Sequence, residues 1–277
     1  MTAGKFECVI NISEGQREGL LAQLEQFAGE SLRDRHSDVF HNRSVFTLIN
    51  TREALVRDVR AFLHEVYGQL DLVGHLGVHP RFGVADVIPF VALNLDEGEA
   101  AVEMRNQLAQ EIAASEGVSV FLYGPLDDGG IRTLPDLRRR AFKDLSPDFG
   151  PSTPDPHKGA SAFGARPLLV AWNIWVAGLD LALGRHIASK VRTSEVRTLA
   201  FAVGEEVQIS CNFIAPLETT PEYAYELVIS LLPNGARITR AELVGLAPQG
   251  MLDLIPAEKW KMLGLSPSTT IESRLSR

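Results

Sequence analysis

From Lys5 to Ile12 the segment KFECVINI carries apolar and β-branched residues in the pattern of a half-buried strand, and Gly15 closes it. LLAQLEQFA, 20–28, then follows helical spacing, and RSVFTLIN, 43–50, is the next strand. After it the pattern predicts a helix capped by Thr51, with Leu55, Val59, Phe62, Leu63 and Val66 on one face. ADVIPFVAL, 85–93, a helix over 97–114, and VSVFLYG, 118–124, complete a half in which strands and helices alternate. From Leu145 the periodicity stops: SPDFGPSTPDPHKGASAFGA, 146–165, crowds prolines and glycines and reads as a functional loop or a linker, where a domain boundary belongs. Beyond it RPLLVAWNIWV is a strand and LDLALGRHIASKV a helix. VRTLAFAV and VQISCNFIA are strands turned at Gly204, PEYAYELVISLL is a helix and ITRAELVGLA a last strand, with short helices after it. That βαββαβ order suits a two-layer sandwich with helices on one sheet face.

At 277 residues the chain is long enough for two such units, 1–167 and 168–277, in an α/β (α+β) fold. Charged residues are 22% of the chain and the formal net charge is −8, with acidic and basic residues interleaved, so there is no basic stripe for nucleic acid. No apolar run approaches the ~20 residues of a membrane span, and the first residues lack the apolar stretch of a signal peptide, which predicts a cytoplasmic protein. Cys8 and Cys211 have no CxxC spacing and read as buried small hydrophobes, a single bridge between them remaining open.

The chemistry gathers in HLGVHPRFGVADVIPFV, 75–91. His75 and His79 have the i, i+4 spacing of a metal pair, but Gly77 and Pro80 break the helix that would put them on one face, and no metal is expected. His79 with Arg81 admits two readings: a proton-exchanging imidazole beside a carboxylate-binding guanidinium, or a satisfied loop histidine beside a surface charge. Glu7, Asn11, Ser13 and Glu14 either line a cleft or cap the following helix, Ser13 being the natural cap. In HNRS, 41–44, Arg43 either binds a substrate or pairs with an acidic neighbour. No GxGxxG or Walker-type sequence occurs, and the DDGG at 127–130 reads as a turn.

In this order, ECVINISEG, HNRSVFTLI, HLGVHPRFGVADVIPF, FLYG, RTLPDLR, PDFGPS with GARPLLVAWNI, QISCNF and LVGLAP resemble the glutamate formimidoyltransferase family from Glu7 to about Pro248. The resemblance implies a cytosolic, usually dimeric enzyme of histidine breakdown, moving a formimino group from N-formimino-L-glutamate to tetrahydrofolate, with two α/β subdomains facing each other across a folate-binding groove. It places the catalytic histidine at His79. It places the folate-binding loop at Gly150, Pro151, Ser152, Thr153, Pro154, Asp155, Pro156, His157, Lys158 and Gly159. In this reading Pro80 fixes the path of the His79 loop, while Gly77 and Gly83 let backbone approach a ligand. From side-chain chemistry alone, Arg43 and Arg81 are candidate anchors for carboxylates of glutamate or folate.

The sequence departs from the family where Asp-x-Asp becomes Asp34-Arg35-His36 and where Asn-x-Asn becomes Asn173-Ile174-Trp175. The folate loop is more polar and the second subdomain shorter than in relatives. These departures leave two alternatives: a folate-binding or regulatory paralogue with little catalysis, or one-carbon transfer involving 5-formyl-tetrahydrofolate. Ending with the second subdomain, the chain is expected to rely on a separate cyclodeaminase to process its product.

Overall fold

A computed structural model describes residues 4–276. The chain divides into two compact units, one running to Pro167 and the other starting at Leu168. In the first, β1 (Phe6–Ile12), β2 (Leu32–Asp38), β3 (Arg43–Asn50), β4 (Ala85–Ala92), β5 (Ser119–Pro125), β6 (Ile131–Arg132) and β7 (Ala160–Ala165) form one sheet in the order β2-β3-β1-β4-β7-β5-β6. The pairings are antiparallel except those of β7, which lies parallel to both β4 and β5.

Helices α1 (Glu18–Phe27), α2 (Arg52–Gln69) and α3 (Gly98–Glu116) supply Leu21, Leu24, Phe62, Leu63, Met104 and Leu108 to a core with Ile10, Phe46, Phe90 and Val120 of the sheet. The five apolar residues predicted on α2 are all buried. Thr51 occupies the capping position with extended backbone, yet its hydroxyl makes no capping bond, and its own N–H is taken by Asn50 Oδ1 at 2.9 Å. Alternate strand residues point the other way, and there α4 (Leu134–Arg140) packs Leu137 with Val87, Phe121, Tyr123, Ala160 and Ala162.

β7 corrects the expectation of a loop throughout 146–165. ASAFGA is a strand buried at every position. Strands covered on both faces lose the polar alternation that marks half-buried ones, and here the residues are also small. Gly164 shows why: a Cβ there would fall 2.0 Å from the Tyr123 ring.

The second unit has the predicted order: β8 (Val170–Ala177), α5 (Leu181–Val191), β9 (Val196–Val203), β10 (Glu206–Phe213), α6 (Pro221–Leu231) and β11 (Arg237–Val244). Its sheet is antiparallel, in the order β11-β8-β10-β9. Gly204, at φ +59°, makes the turn between β9 and β10. Trp172, Ile174, Ile209 and Phe213 face Ile187 and Val228 of the helices, and the C-terminal turns close this core with Met251 and Leu263. Trp172 Nε1 donates to the Leu263 carbonyl at 2.7 Å, so the large buried ring leaves no donor unmade. Both cysteines are free and buried.

Candidate active site

Three loops of the first unit, 38–43, 70–83 and 150–159, are stitched together by backbone. Val78 N donates to Phe40 O at 3.3 Å, Leu72 N to His157 O at 2.8 Å, Val84 N to Lys158 O at 2.9 Å and Ala160 N to Phe82 O at 3.0 Å. Asn42 Nδ2 adds a bond to Leu76 O at 2.9 Å. The glycines of the His79 loop serve these seams: a Cβ on Gly77 would lie 2.3 Å from His41 O, and one on Gly83 would lie 2.1 Å from Ala160 O. They bring backbone close to backbone, whereas the sequence reading had them approach a ligand. Arg81 braces the same loop from inside, its Nη1 donating to His75 O at 2.7 Å and its Nη2 to Gly77 O at 2.6 Å.

His79 sits half-buried at the end of this braced loop. Its Nδ1 lies 2.6 Å from the Pro80 carbonyl. A carbonyl only accepts, so Nδ1 carries the proton and Nε2 is the ring's proton-accepting nitrogen. The His41 ring stands edge-on at 5.7 Å between centroids. Burial first, and the Arg43 guanidinium second, push the His79 pKa down to about 3, with Arg138 acting in the same direction and Asp86 against it. The imidazole is therefore neutral at physiological pH.

Beneath it, Asp86 of β4 has no exposed side chain and binds three donors. Its Oδ1 accepts from Phe82 N at 2.8 Å; its Oδ2 accepts from Arg43 Nη1 and, at 2.7 Å, from Arg138 Nη2. Burial raises the Asp86 pKa, yet the two guanidiniums outweigh it and hold the carboxyl below its ordinary range. Arg43 also directs Nε and Nη2 to Asn11 Oδ1, at 3.2 and 2.9 Å. Arg43 thus pairs with an acidic neighbour, the plainer of its two readings.

Of 150–159, residues Gly150 to Pro154 are exposed, on a stem that Ser119 Oγ holds through Pro151 O at 2.7 Å and Thr153 O at 3.1 Å. Asp155 Oδ1 accepts from the amides of His157 and Lys158, fixing the return. The His157 ring goes to Asp71 at 2.9 Å, and Lys158 Nζ goes to Glu116 O at 2.9 Å. Ahead of α1, Ser13 Oγ donates to Gly83 O at 2.8 Å and does not cap; Glu14 takes the amides of Gln16 and Arg17, both at 2.8 Å. His36, half-buried on β2, stands opposite Val45. In the second unit Asn173 Nδ2 donates to Glu242 at 3.1 Å, and Trp175 is buried under the Arg240 guanidinium, 3.8 Å from its ring.

Sequence reasoning singled out His79 and passed over Asp86 and Arg138, which the structure places around it. The signals were present: an aspartate interrupting the apolar run VADVIPFV, and an arginine in RTLPDLR with no role assigned. Among the described residues no helix is long and apolar enough to cross a membrane.

In this two-unit α/β fold, a neutral, oriented imidazole held beside buried counter-charges has the chemistry to take up and return a proton. The family profile described as the formiminotransferase domain, N-terminal subdomain, matches residues 5–166. Glutamate formimidoyltransferase of Thermoplasma acidophilum is 30% identical over 98% of this chain and 97% of its own length. Glutamate formimidoyltransferase of Streptococcus pyogenes is 29% identical over 87% of this chain and 88% of its own. Formimidoyltransferase-cyclodeaminase of Gallus gallus is 32% identical over 89% of this chain, which spans only 51% of that relative. The chain belongs to the formiminotransferase family and is an enzyme of one-carbon group transfer.

Proposed function

We propose that this enzyme moves the formimino group of N-formimino-L-glutamate to tetrahydrofolate, with His79 as the proton shuttle and the loop 150–159 on the folate. The observation that supports it is the seam between the end of the His79 loop and the end of 150–159, where Val84 N donates to Lys158 O and Ala160 N to Phe82 O. The names of the relatives supply the donor.

A folate amine attacks the formimino carbon and forms a tetrahedral intermediate. The bond from that carbon to the glutamate nitrogen then breaks. One proton must leave the attacking nitrogen and one must reach the departing nitrogen. A neutral imidazole with Nδ1–H clamped on Pro80 O takes the first at Nε2 and returns it as the second. A pKa near 3 suits a resting base that stays unprotonated, but it makes a weak acceptor. Entry of an anionic substrate offsets the Arg43 and Arg138 charges and so raises the imidazole pKa, while the burial that lowers it most remains.

The test is to incubate the protein with both substrates and a separate cyclodeaminase while following methenyl-folate absorbance. Product is expected, and its absence across neutral pH overturns the reading. Tight folate binding without turnover would identify a binding paralogue, and turnover of formyl compounds alone would identify 5-formyl-tetrahydrofolate chemistry.

A further inference from the structure

Arg43 and Arg81 would each have to release partners to hold a substrate carboxylate, because their terminal nitrogens are already bound to Asp86, Asn11 and loop carbonyls. Arg138 is placed differently. Only its Nη2 is engaged, on Asp86, and its Nε is buried without a hydrogen-bond partner among the described residues. Its side chain is still 27% exposed. A buried charged donor left unmade is costly, and such a group is satisfied when a ligand supplies the acceptor.

Charge points the same way. Arg43 and Arg138 share the single buried carboxylate of Asp86, so the cluster carries one positive charge more than its anion neutralises. Asp86 takes one N–H of Nη2, and the second N–H of Nη2 together with Nε or Nη1 still makes a planar two-donor edge of the kind that bidentate carboxylate recognition uses. Arg138 is near enough to His79 to act on its charge.

We propose that Arg138 is the carboxylate-recognition residue of this site, held by Asp86 on one edge and receiving on the other a carboxylate from an amino-acid moiety of a substrate. The proposal rests on the formimino-transfer reading and extends it to a residue without an assigned role. The carboxylate has two sources, N-formimino-glutamate or the glutamyl tail of the folate, and the test separates them.

Arg138→Gln and Arg138→Lys are titrated calorimetrically with N-formimino-glutamate and, separately, with tetrahydrofolate, alongside steady-state kinetics and melting curves. If the donor supplies the carboxylate, Arg138→Gln should raise its Kd and KM by ~10-fold or more, with kcat within a few-fold and folate affinity unchanged. Arg138→Lys, which keeps a charge on Asp86, should recover only part of the loss because an ammonium lacks the planar edge. A Kd increase confined to folate assigns the same role to its tail. Amidating the recognised carboxylate should weaken binding to wild type and make no difference to Arg138→Gln.

Unchanged affinity for both ligands in folded variants overturns the proposal, as does a fall in kcat at constant KM. Should Arg138→Gln fail to fold, Arg138→Lys decides by the same criteria. A wild type that binds both ligands without making product overturns the formimino-transfer reading alone, because the titrations still decide the role of Arg138. A wild type that binds neither ligand overturns both.

Discussion

Along β1 the side chains of Phe6, Cys8, Ile10 and Ile12 go to the helix-covered face of the sheet, while Glu7 and Asn11 go to the other. The two faces meet different demands. On the first, Ile10, Phe46, Phe62, Phe90 and Leu108 are fully buried, and each side chain so removed from water stabilises the fold by roughly 1.5–3 kcal/mol. On the second, β4 contributes Asp86, with Arg43, Arg138 and Asn11 around it, and His79 hangs above. Burying those charges costs free energy that their mutual pairing returns only in part. One backbone therefore carries a face that holds the fold together and a face that holds a site, and substitutions on the two should be separable by measurement.

The largest expected effect is on the second face. His79→Ala should lower turnover by ~10²–10⁴-fold, the usual share of general acid–base catalysis, while folate affinity stays within a few-fold. The melting temperature should hardly move, because the ring is half-buried in a loop whose bracing comes from Arg81 and the backbone seams. Full turnover by the folded variant would return His79 to the reading of a satisfied loop histidine.

Phe62→Ala should show the opposite pattern. The Phe62 ring is fully buried with its centroid 4.7 Å from that of Phe46, and its removal leaves a cavity expected to cost about 3–5 kcal/mol. Activity per folded molecule should survive. If Phe62→Ala instead lowered kcat at temperatures where the protein is fully folded, the separation of the faces would be broken.

The helix-covered face was also the legible one. Period alone located α2 and its buried residues, and the same logic found β1, β3, β4 and β5. It failed at β7, whose small residues are buried on both sides, and at α4, too short at seven residues to show a helical period. On the other face the chemistry of HPRF pointed to His79, but side-chain type could not reveal which atoms were already taken. Arg81 looked like an anchor and is tied to His75 O and Gly77 O; Arg138 looked ordinary and carries the orphaned donor. Partner choice depends on contacts between residues such as Asp86 and Arg138, 52 positions apart, which no local pattern contains.

The smallest expected effect tests what the second face costs. Glu7 is 2% exposed on β1, and burial raises its pKa from 4.5 to about 7 despite the opposing charge of Arg166. The unfolded chain releases this proton near 4.5 while the native state keeps it to about 7, so between these values the native state binds more protons. Stability must then fall as pH rises through that window, by up to roughly 3 kcal/mol from this group alone. Glu7→Gln removes the titration while keeping the shape. Groups that titrate in both proteins, His79 among them, cancel in the difference unless they interact with Glu7. The wild-type melting temperature should therefore drop relative to Glu7→Gln as pH rises from 4.5 to 7, with the gap reaching a plateau above neutrality. Parallel curves over that range would mean that the ionised Glu7 is compensated in the fold, and that this face carries its charges at no cost to stability.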